Sequence, residues 1–212
     1  MVSGLGGYRL KPPGRAQRYY RFEEFPETSP VGPRVTPDAG SVCVPGFIRA
    51  DATVTELSPL GSGVFRDSAT AVYAPSVGLP DGGSERTVEF WVNPISTVFN
   101  NYFNWVSYGD FEIRHRHETR EIEVAVGGTR VAVWTTQEFL AGNWHHVAVT
   151  YDGTDLNLFV NGEDLGARAV VLDTDLAGGT LNIGRFGSFD EVAIYPTALA
   201  PSVISDRLQL VP

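Results

Sequence analysis

The 212-residue sequence contains a single cysteine, Cys43, and a single lysine, Lys11. One cysteine excludes an intrachain disulfide framework, and its apolar surroundings indicate a small buried side chain rather than a nucleophile. Fifteen of the 16 basic residues are therefore arginine, which is typical of a GC-rich coding sequence. No apolar run approaches the roughly 20 residues that a membrane-spanning helix needs. The first residues also lack the apolar segment of a secretory signal, and Met1 fits a natural start or an expression start.

Positive charge is scarce in the chain as a whole. The formal net charge is −9 and the isoelectric point is about 4.9. A general nucleic-acid binder needs a basic footprint, and a chain this acidic is repelled by an anionic membrane surface. We therefore expect neither nucleic acid nor membrane among the partners.

The first 17 residues differ from the rest in composition. They are rich in glycine and proline, which leaves little room for regular structure, and they carry Arg9, Lys11 and Arg15 on an otherwise acidic protein. This composition predicts either a flexible tail or an arm that orders against a neighbouring acidic subunit. The subunits could be copies of the same chain, which would make a homo-oligomer. We take residues 1–17 as the arm and residues 18–212 as one domain.

Alternation of apolar and polar residues, as in half-buried β-strands, recurs throughout the domain, and the strongest example lies between Asn143 and Gly166. There the sequence NWHHVAVTYDGTDLNLFVNGEDLG alternates apolar and polar positions, with turns at Asp152-Gly153 and Asn161-Gly162. Alternation bounded by Asx-Gly turns is the strongest hairpin signal in a sequence. About a dozen such short strands, with one short helix near the C-terminus, predict an all-β fold, an antiparallel two-sheet jelly-roll sandwich.

Further strands are predicted in order along the chain. Their expected ranges are 19–25, 42–48, 63–66, 69–73, 87–92, 102–108, 111–116, 121–126, 130–135, 167–172, 181–183 and 189–195. The proline-rich segment 26–37 is expected to be an extended or turn-like connection.

Several of these segments together resemble the laminin G-like group of concanavalin A-like jelly-roll domains. The resemblance rests on the order and spacing of TVEFWVNP, of the hairpin, of LNIGR and of FDEVAIYPTALAPSVISDRL, preceded by YYRFEE and Asp38-Ala39-Gly40. It covers about residues 18 to 210 and departs from the group's pattern in residues 42 to 66. It is specific for the fold but implies no single function, because such domains serve as lectins, adhesion modules and appendages of enzymes or virions.

The resemblance implies a non-catalytic binding or structural protein. The basic arm, the missing secretory signal and the GC-rich usage favour a phage virion component, a minor tail or capsid-decoration protein that contacts host glycans. The alternatives are a carbohydrate-binding lectin domain of a secreted, extracellular protein, and a glycoside hydrolase or lyase.

A glycan site is expected where aromatic and asparagine side chains alternate, in VFNNYFNWVSYGD at positions 98–110. Sugar-binding surfaces combine aromatic platforms with a few polar groups. The expected ligand contacts are Asn101, Tyr102, Asn104, Trp105 and Tyr108, and the alternative is that most of these aromatic residues belong to the core. Strict alternation places Trp105 and Val106 on opposite faces of the strand.

A Ca²⁺ site is the second expectation. By alternation Asp190 shares a face with Val192 and Ile194, where a lone carboxylate is costly and must be paired. The first and last strands of a jelly roll commonly pair, so Glu24, Asp38 and Asp190 could meet around a hard cation with oxygen ligands. The alternative is an acid satisfied by backbone amides or an arginine.

Catalytic and histidine-ligated sites are less well supported by the sequence. Glu121 and Glu123 alternate on one strand, as glycosidase carboxylates do, but position 125 is alanine where a third acid would stand. His115 and His117 alternate as well, yet no third metal ligand follows at a usual spacing. We therefore expect no enzyme activity and no catalytic residues.

Overall fold

The computed structural model describes residues 16–22, 34–36, 39–41, 44–49, 52–58, 61–66, 70–95, 102–136 and 142–208. This part of the chain forms two antiparallel eight-stranded sheets and one helix, the predicted jelly-roll sandwich. The predicted arm lies almost wholly outside the described residues, so its boundary stays a prediction. The described part contains no helix long and apolar enough to cross a membrane.

The first sheet has the strand order β14-β13-β12-β7-β16-β5-β4, and β1 pairs with β16 beside β5. Its strands are β1 (Arg18–Tyr20), β4 (Thr53–Ser58), β5 (Gly61–Arg66), β7 (Arg86–Pro94), β12 (His145–Tyr151), β13 (Asp155–Val160), β14 (Glu163–Ala169) and β16 (Gly187–Tyr195).

The second sheet has the order β11-β10-β9-β8-β15-β6-β3-β2. Its strands are β2 (Arg34–Thr36), β3 (Gly46–Ile48), β6 (Val72–Pro75), β8 (Phe103–Tyr108), β9 (Phe111–Arg116), β10 (Glu121–Val126), β11 (Thr129–Thr135) and β15 (Thr180–Ile183). Two strands were not predicted: β2 lies in the proline-rich connection, and β4 lies in the segment that departs from the family pattern.

The hairpin of β12 and β13 forms as its sequence predicts. Asn161 and Gly162 both have positive φ, 48° and 79°, as a type I′ turn requires. One face of β12 enters the core through Val147, Val149 and Tyr151, all at most 1% exposed. The predicted third strand at 167–172 begins earlier, at Glu163, because this tight turn leads directly into β14.

A single main core fills the space between the two sheets. Aromatic rings from both sheets meet there: Phe90 of β7 packs edge-on against Trp105 of β8, with ring centroids 6.0 Å apart, and also contacts Phe189 of β16. Burying side chains of this size stabilises a domain by roughly 1.5–3 kcal/mol each.

The helix α1 (Pro201–Leu208) covers part of the outer face of the first sheet. Pro201 occupies the first turn, where its missing N–H costs nothing. Ile204 is fully buried against Ala148 and Phe159, apart from the main core. The short predicted helix is therefore real, and packing on the sheet stabilises it.

Two β-bulges change which side chains face the core. In β8 the register shifts between Asn104 and Val106, so Trp105 and Val106 both enter the main core. In β16 it shifts between Asp190 and Ala193, with Glu191 at φ 50°. Phe189 therefore faces the core together with Val192 and Ile194, and the expectation that Asp190 shares their face is wrong.

Candidate functional site

One row of residues crosses the outer face of the second sheet. The strand registers place its members side by side in the order Phe47, Tyr73, Asn182, Ser107, Glu112, Ala125 and Arg130. Neighbouring strands lie about 4.8 Å apart, so the six steps span roughly 29 Å. The row is aromatic at one end, built of small residues in the middle and charged at the other end.

The aromatic end is a stack of three planar groups. The rings of Phe47 and Tyr73 are stacked with centroids 5.4 Å apart and an interplanar angle of 24°. The guanidinium carbon of Arg49 lies 5.2 Å from the centre of the Tyr73 ring. Tyr73 is 36% exposed, so part of its ring is accessible to solvent.

Small polar side chains form the middle of the row. Asn182 of β15 donates to the carbonyl oxygen and the hydroxyl of Thr180, at 3.3 and 3.1 Å. Ser107 of β8 is only 7% exposed. The middle of the row therefore carries short polar side chains between the longer ones of the aromatic end and the charged end.

Tyr102 stands at the charged end beside the row. The guanidinium carbons of Arg114 and Arg116 lie 5.4 and 5.5 Å from the centre of its ring. Its hydroxyl donates to Glu121 at 2.9 Å, and Thr119 donates to the same oxygen at 2.8 Å. These two hydrogen bonds hold the pKa of Glu121 below its ordinary value.

Glu123 lies under the arginines of this end. It is 1% exposed and contacts the guanidinium of Arg114, which also lies 3.0 Å from Glu112, while the Nε of Arg130 is 3.9 Å away. A buried carboxylate is tolerated only when paired in this way. The charged end is thus a network of arginine and glutamate that fixes the orientation of its side chains.

The structure separates the five predicted ligand-binding residues. Tyr102 and Asn104 are half-buried, and the register of Asn104 with Arg114 places it on the outer face. Trp105 and Tyr108 are at most 1% exposed in the main core, which is the alternative that the sequence left open. The bulge in β8 explains Tyr108, because it turns Val106 and Tyr108 to the core side. Asn101 lies outside the described residues.

The three predicted calcium ligands are not brought together by the described part of the chain. Asp190 is fully buried and accepts a hydrogen bond from Ser58 Oγ at 2.5 Å and another from the Glu191 N–H at 2.7 Å. Glu24 and Asp38 lie outside the described residues. Among those described, no three acidic, histidine or cysteine side chains are arranged to hold a metal. The Ca²⁺ site stays a prediction.

The histidine pair His115 and His117 and the glutamate pair Glu121 and Glu123 both make contacts within the fold. His115 is 2% exposed and stacks on Trp105 with centroids 4.5 Å apart, while His117 lies edge-on at 6.0 Å. Glu121 and Glu123 lie on the outer face of the second sheet. The lowered pKa of Glu121 is opposite to what a glycosidase general acid needs.

The members of the row that sequence reasoning missed are Phe47, Tyr73 and Asn182. They come from three strands far apart in the chain, and only the sheet order brings them together. The one local signal was the alternation of β6, in which Tyr73 is exposed between buried Val72 and Ala74.

Comparison with known proteins gives a family and a set of similar folds. The family model of the concanavalin A-like lectin/glucanases superfamily matches residues 66–205. Domain 4 of AbnA, an extracellular arabinanase of Geobacillus stearothermophilus solved in complex with arabinotriose, has a TM-score of 0.67 at 17% identity, covering 93% of this chain and 98% of that one.

Toxin binding domains have the same fold. The binding domain of botulinum neurotoxin serotype G has a TM-score of 0.73 at 10% identity, and that of serotype D, solved with N-acetylneuraminic acid, has 0.71 at 10%. The match covers 92% of this chain in both cases but only 51% and 50% of the toxin domains, so the chain spans about half their length. No curated protein sequence matches the chain.

Proposed function

The chain belongs to the concanavalin A-like lectin/glucanases superfamily, and we propose that it is a non-catalytic module that binds a glycan along the outer face of its second sheet. The observation that carries this proposal is the row from Phe47 to Arg130, with its exposed aromatic ring at Tyr73 and its short polar side chains in the middle. Ligand sites typically combine apolar or aromatic surface with a few placed polar groups.

The contacts expected of each part follow from its chemistry. Tyr73 is the exposed aromatic contact for a sugar ring, and Arg49 beside it restricts how the Tyr73 ring can turn. Asn182 and Asn104 offer amide groups to sugar hydroxyls along the row. Tyr102 and its arginines close the charged end of the site.

The electrostatics of the face favour binding over hydrolysis. The arginines of the charged end pair with Glu112 and Glu123, and Glu121 is held ionised by its hydrogen bonds. A hydrolase would need one carboxyl held protonated beside a second, ionised one. This arrangement supports the assignment of a binding role.

A binding panel tests the proposal. Isothermal titration would use the purified chain with neutral oligosaccharides such as arabinotriose and with N-acetylneuraminic acid, the ligands of the two similar folds. Tyr73→Ala and Tyr102→Ala should each weaken binding about tenfold, equivalent to about 1.4 kcal/mol. Val171→Ala, which changes a side chain 88% exposed outside the row, is the matched control and should bind as the wild type does.

Two results would refute this assignment. One is a wild type that binds none of a broad array of glycans. The other is a glycan that binds with unchanged affinity to both tyrosine variants, because it would then occupy a different surface.

The biological setting is a further part of the proposal. A basic, glycine- and proline-rich arm on a chain of net charge −9 supports anchoring to acidic neighbours in an assembly, and we propose a phage virion as that assembly. Mass spectrometry of purified particles would detect the chain. Its absence from particles would favour the alternative, a lectin domain of a secreted protein.

A further inference from the structure

A second group of polar side chains lies on the opposite side of the sandwich, where α1 meets the first sheet. They line a narrow cleft formed by β1, β7, β12, β16 and the last turn of the helix: Tyr19, Glu89, Trp91, His146, Glu191 and Arg207. Each of the six is at most 6% exposed. The cleft shares no residue with the row on the second sheet.

Three polar atoms of the residues that line this cleft have no hydrogen-bond partner. They are the Trp91 Nε1, the His146 Nδ1 and the Arg207 Nε. Leaving a buried polar atom unpaired costs about 1–3 kcal/mol, and folded proteins leave few such atoms. Three of them around one cleft indicate that something polar occupies it.

The charges of the cleft are already compensated. Arg207 lies 2.9 Å from Glu89, and Arg21 lies 3.4 Å from Glu191. Tyr19 donates its hydroxyl proton to Glu191, and burial together with that carboxylate raises the pKa of Tyr19, so the hydroxyl stays protonated. A charged occupant would leave an uncompensated buried charge, so the occupant is neutral.

The unpaired atoms offer both kinds of hydrogen bond. The Trp91 and Arg207 N–H groups can only donate. The His146 Nε2 lies 3.6 Å from the Glu89 Oε2 and carries its proton toward that oxygen, which leaves the His146 Nδ1 as the acceptor. A hydroxyl group donates one hydrogen bond and accepts others, so it matches this set. The indole of Trp91, whose ring centroid is 5.3 Å from that of His146, adds an apolar wall.

The backbone at this place is strained. Glu191 has φ 50° within the bulge of β16, a conformation that a residue other than glycine adopts only at a cost of about 1–2 kcal/mol. The bulge turns the Glu191 carboxylate toward Tyr19 and the cleft. Bulges of this kind commonly lie beside binding sites, where they redirect one side chain.

From these contacts we propose that the cleft is a second binding site, which takes one hydroxyl group of a neutral polyol such as a sugar. The cleft has room for a group the size of one water molecule, which fits a hydroxyl but not a whole sugar ring. The module would then hold a polyol ligand at α1 independently of the glycan on the second sheet.

The indole N–H resonance of Trp91 is the direct probe of this site. In ¹⁵N-correlated NMR spectra of the full chain, titration with D-glucose, arabinose or glycerol should shift this resonance saturably, and Trp91→Phe assigns it by its loss. Tyr73→Ala, on the other sheet, should leave the shift unchanged even if it abolishes glycan binding there. If Trp91→Phe does not fold, triple-resonance assignment of the wild type serves instead.

Two outcomes would overturn the proposal. One is a shift that stays linear and unsaturated to molar concentrations of every polyol. The other is an unshifted resonance with a cross-peak to a long-lived water, which would identify the occupant as structural water only. Both outcomes can be told apart from a failure of the proposed function. That function is tested separately, by the glycan affinity of Tyr73→Ala and Tyr102→Ala on the opposite face.

Discussion

The Arg207 guanidinium lies 2.9 Å from the Glu89 carboxylate, and this pair ties the C-terminal helix to the centre of the first sheet. Tyr195 completes the contact, because it accepts a hydrogen bond from Arg207 at 2.7 Å and donates one to Glu89 at 2.7 Å. Burial alone would raise the pKa of Glu89, but His146 and Arg207 outweigh it and hold the pKa below its ordinary value.

Removing the cation of this pair should strongly destabilise the protein. Arg207→Met keeps much of the side-chain volume but leaves the buried Glu89 without its arginine, so the free energy of unfolding should fall by about 3–5 kcal/mol. Urea denaturation at pH 7 measures this. Arg168→Met is the matched control, because Arg168 is exposed and should change stability by about 0.5 kcal/mol at most.

The double variant Glu89→Gln/Arg207→Met separates charge from packing. It removes both charges and should recover most of the loss, since no buried ion remains. A double variant as unstable as Arg207→Met alone would show that the contribution of Arg207 is packing of its stem.

The general fold is predictable from the sequence because its signals are local. Alternation and Asx-Gly turns act within ten residues, and the observed bounds of β9 and β10, Phe111–Arg116 and Glu121–Val126, are those predicted. The family pattern then places these hairpins in two sheets.

The sites are less predictable, because they depend on bulges and on sheet order. One extra residue in β8 reverses the face of every side chain beyond it, which turned Val106 and Tyr108 to the core side. The same shift in β16 separated Asp190 from Val192. Tyr73 and Asn182 are neighbours only through the pairing of β6 with β15, for which the sequence has no local signal.

Acid should destabilise the protein through His115. Burial, with smaller contributions from the charges of His117 and His145, lowers the pKa of His115 to about 3. The unfolded chain takes up a proton near pH 6.5 and the folded chain does not. Stability should therefore fall as pH drops from 6.5 toward 3, by up to about 1.4 kcal/mol per pH unit.

The variant His115→Phe isolates this effect. It retains a ring to stack on Trp105 but cannot titrate, so its unfolding free energy should depend less on pH between 6.5 and 4 than that of the wild type. Urea midpoints across this range provide the comparison. If the urea midpoints of the two proteins change with pH in the same way, groups other than His115 cause the acid sensitivity.

Arg86 is a fully buried cation that is satisfied by oxygen atoms of the surrounding loops. Its guanidinium donates to Thr174 Oγ1 and the Gly82 carbonyl, both at 2.8 Å, to the Ser84 carbonyl at 3.0 Å and to the Tyr108 hydroxyl at 3.3 Å. A lysine ammonium cannot reach these acceptors from one position. Arg86→Lys should therefore lower the free energy of unfolding by about 2–4 kcal/mol.

Chemical denaturation of Arg86→Lys, with Arg168→Lys as the control, measures this loss in the free energy of unfolding. The exposed Arg168 donates to the neighbouring Ala167 carbonyl and lies over the Trp134 ring, and a lysine keeps the positive charge there, so this replacement should be nearly neutral. Equal midpoints for the two variants would show that the loops around Arg86 rearrange without cost.

Two turn glycines provide a matched test of how the β8–β9 turn docks on the loop before β15. Gly109 and Gly128 both have positive φ, 56° and 76°. A Cβ on Gly109 would clash with the Asp175 carbonyl oxygen, whereas one on Gly128 would meet nothing within 4 Å. Asp110 fixes this approach, since its carboxylate accepts the Asp175 N–H at 2.8 Å.

Gly128→Ala should cost only the backbone strain, about 1–2 kcal/mol. Gly109→Ala adds a clash with backbone that cannot rotate away, so its loss should be larger by at least about 1 kcal/mol, and hydrogen exchange of the Asp175 amide should accelerate. Equal losses in the two variants, with unchanged exchange at Asp175, would mean that the loop shifts freely and that the turn and the loop are not packed as a unit.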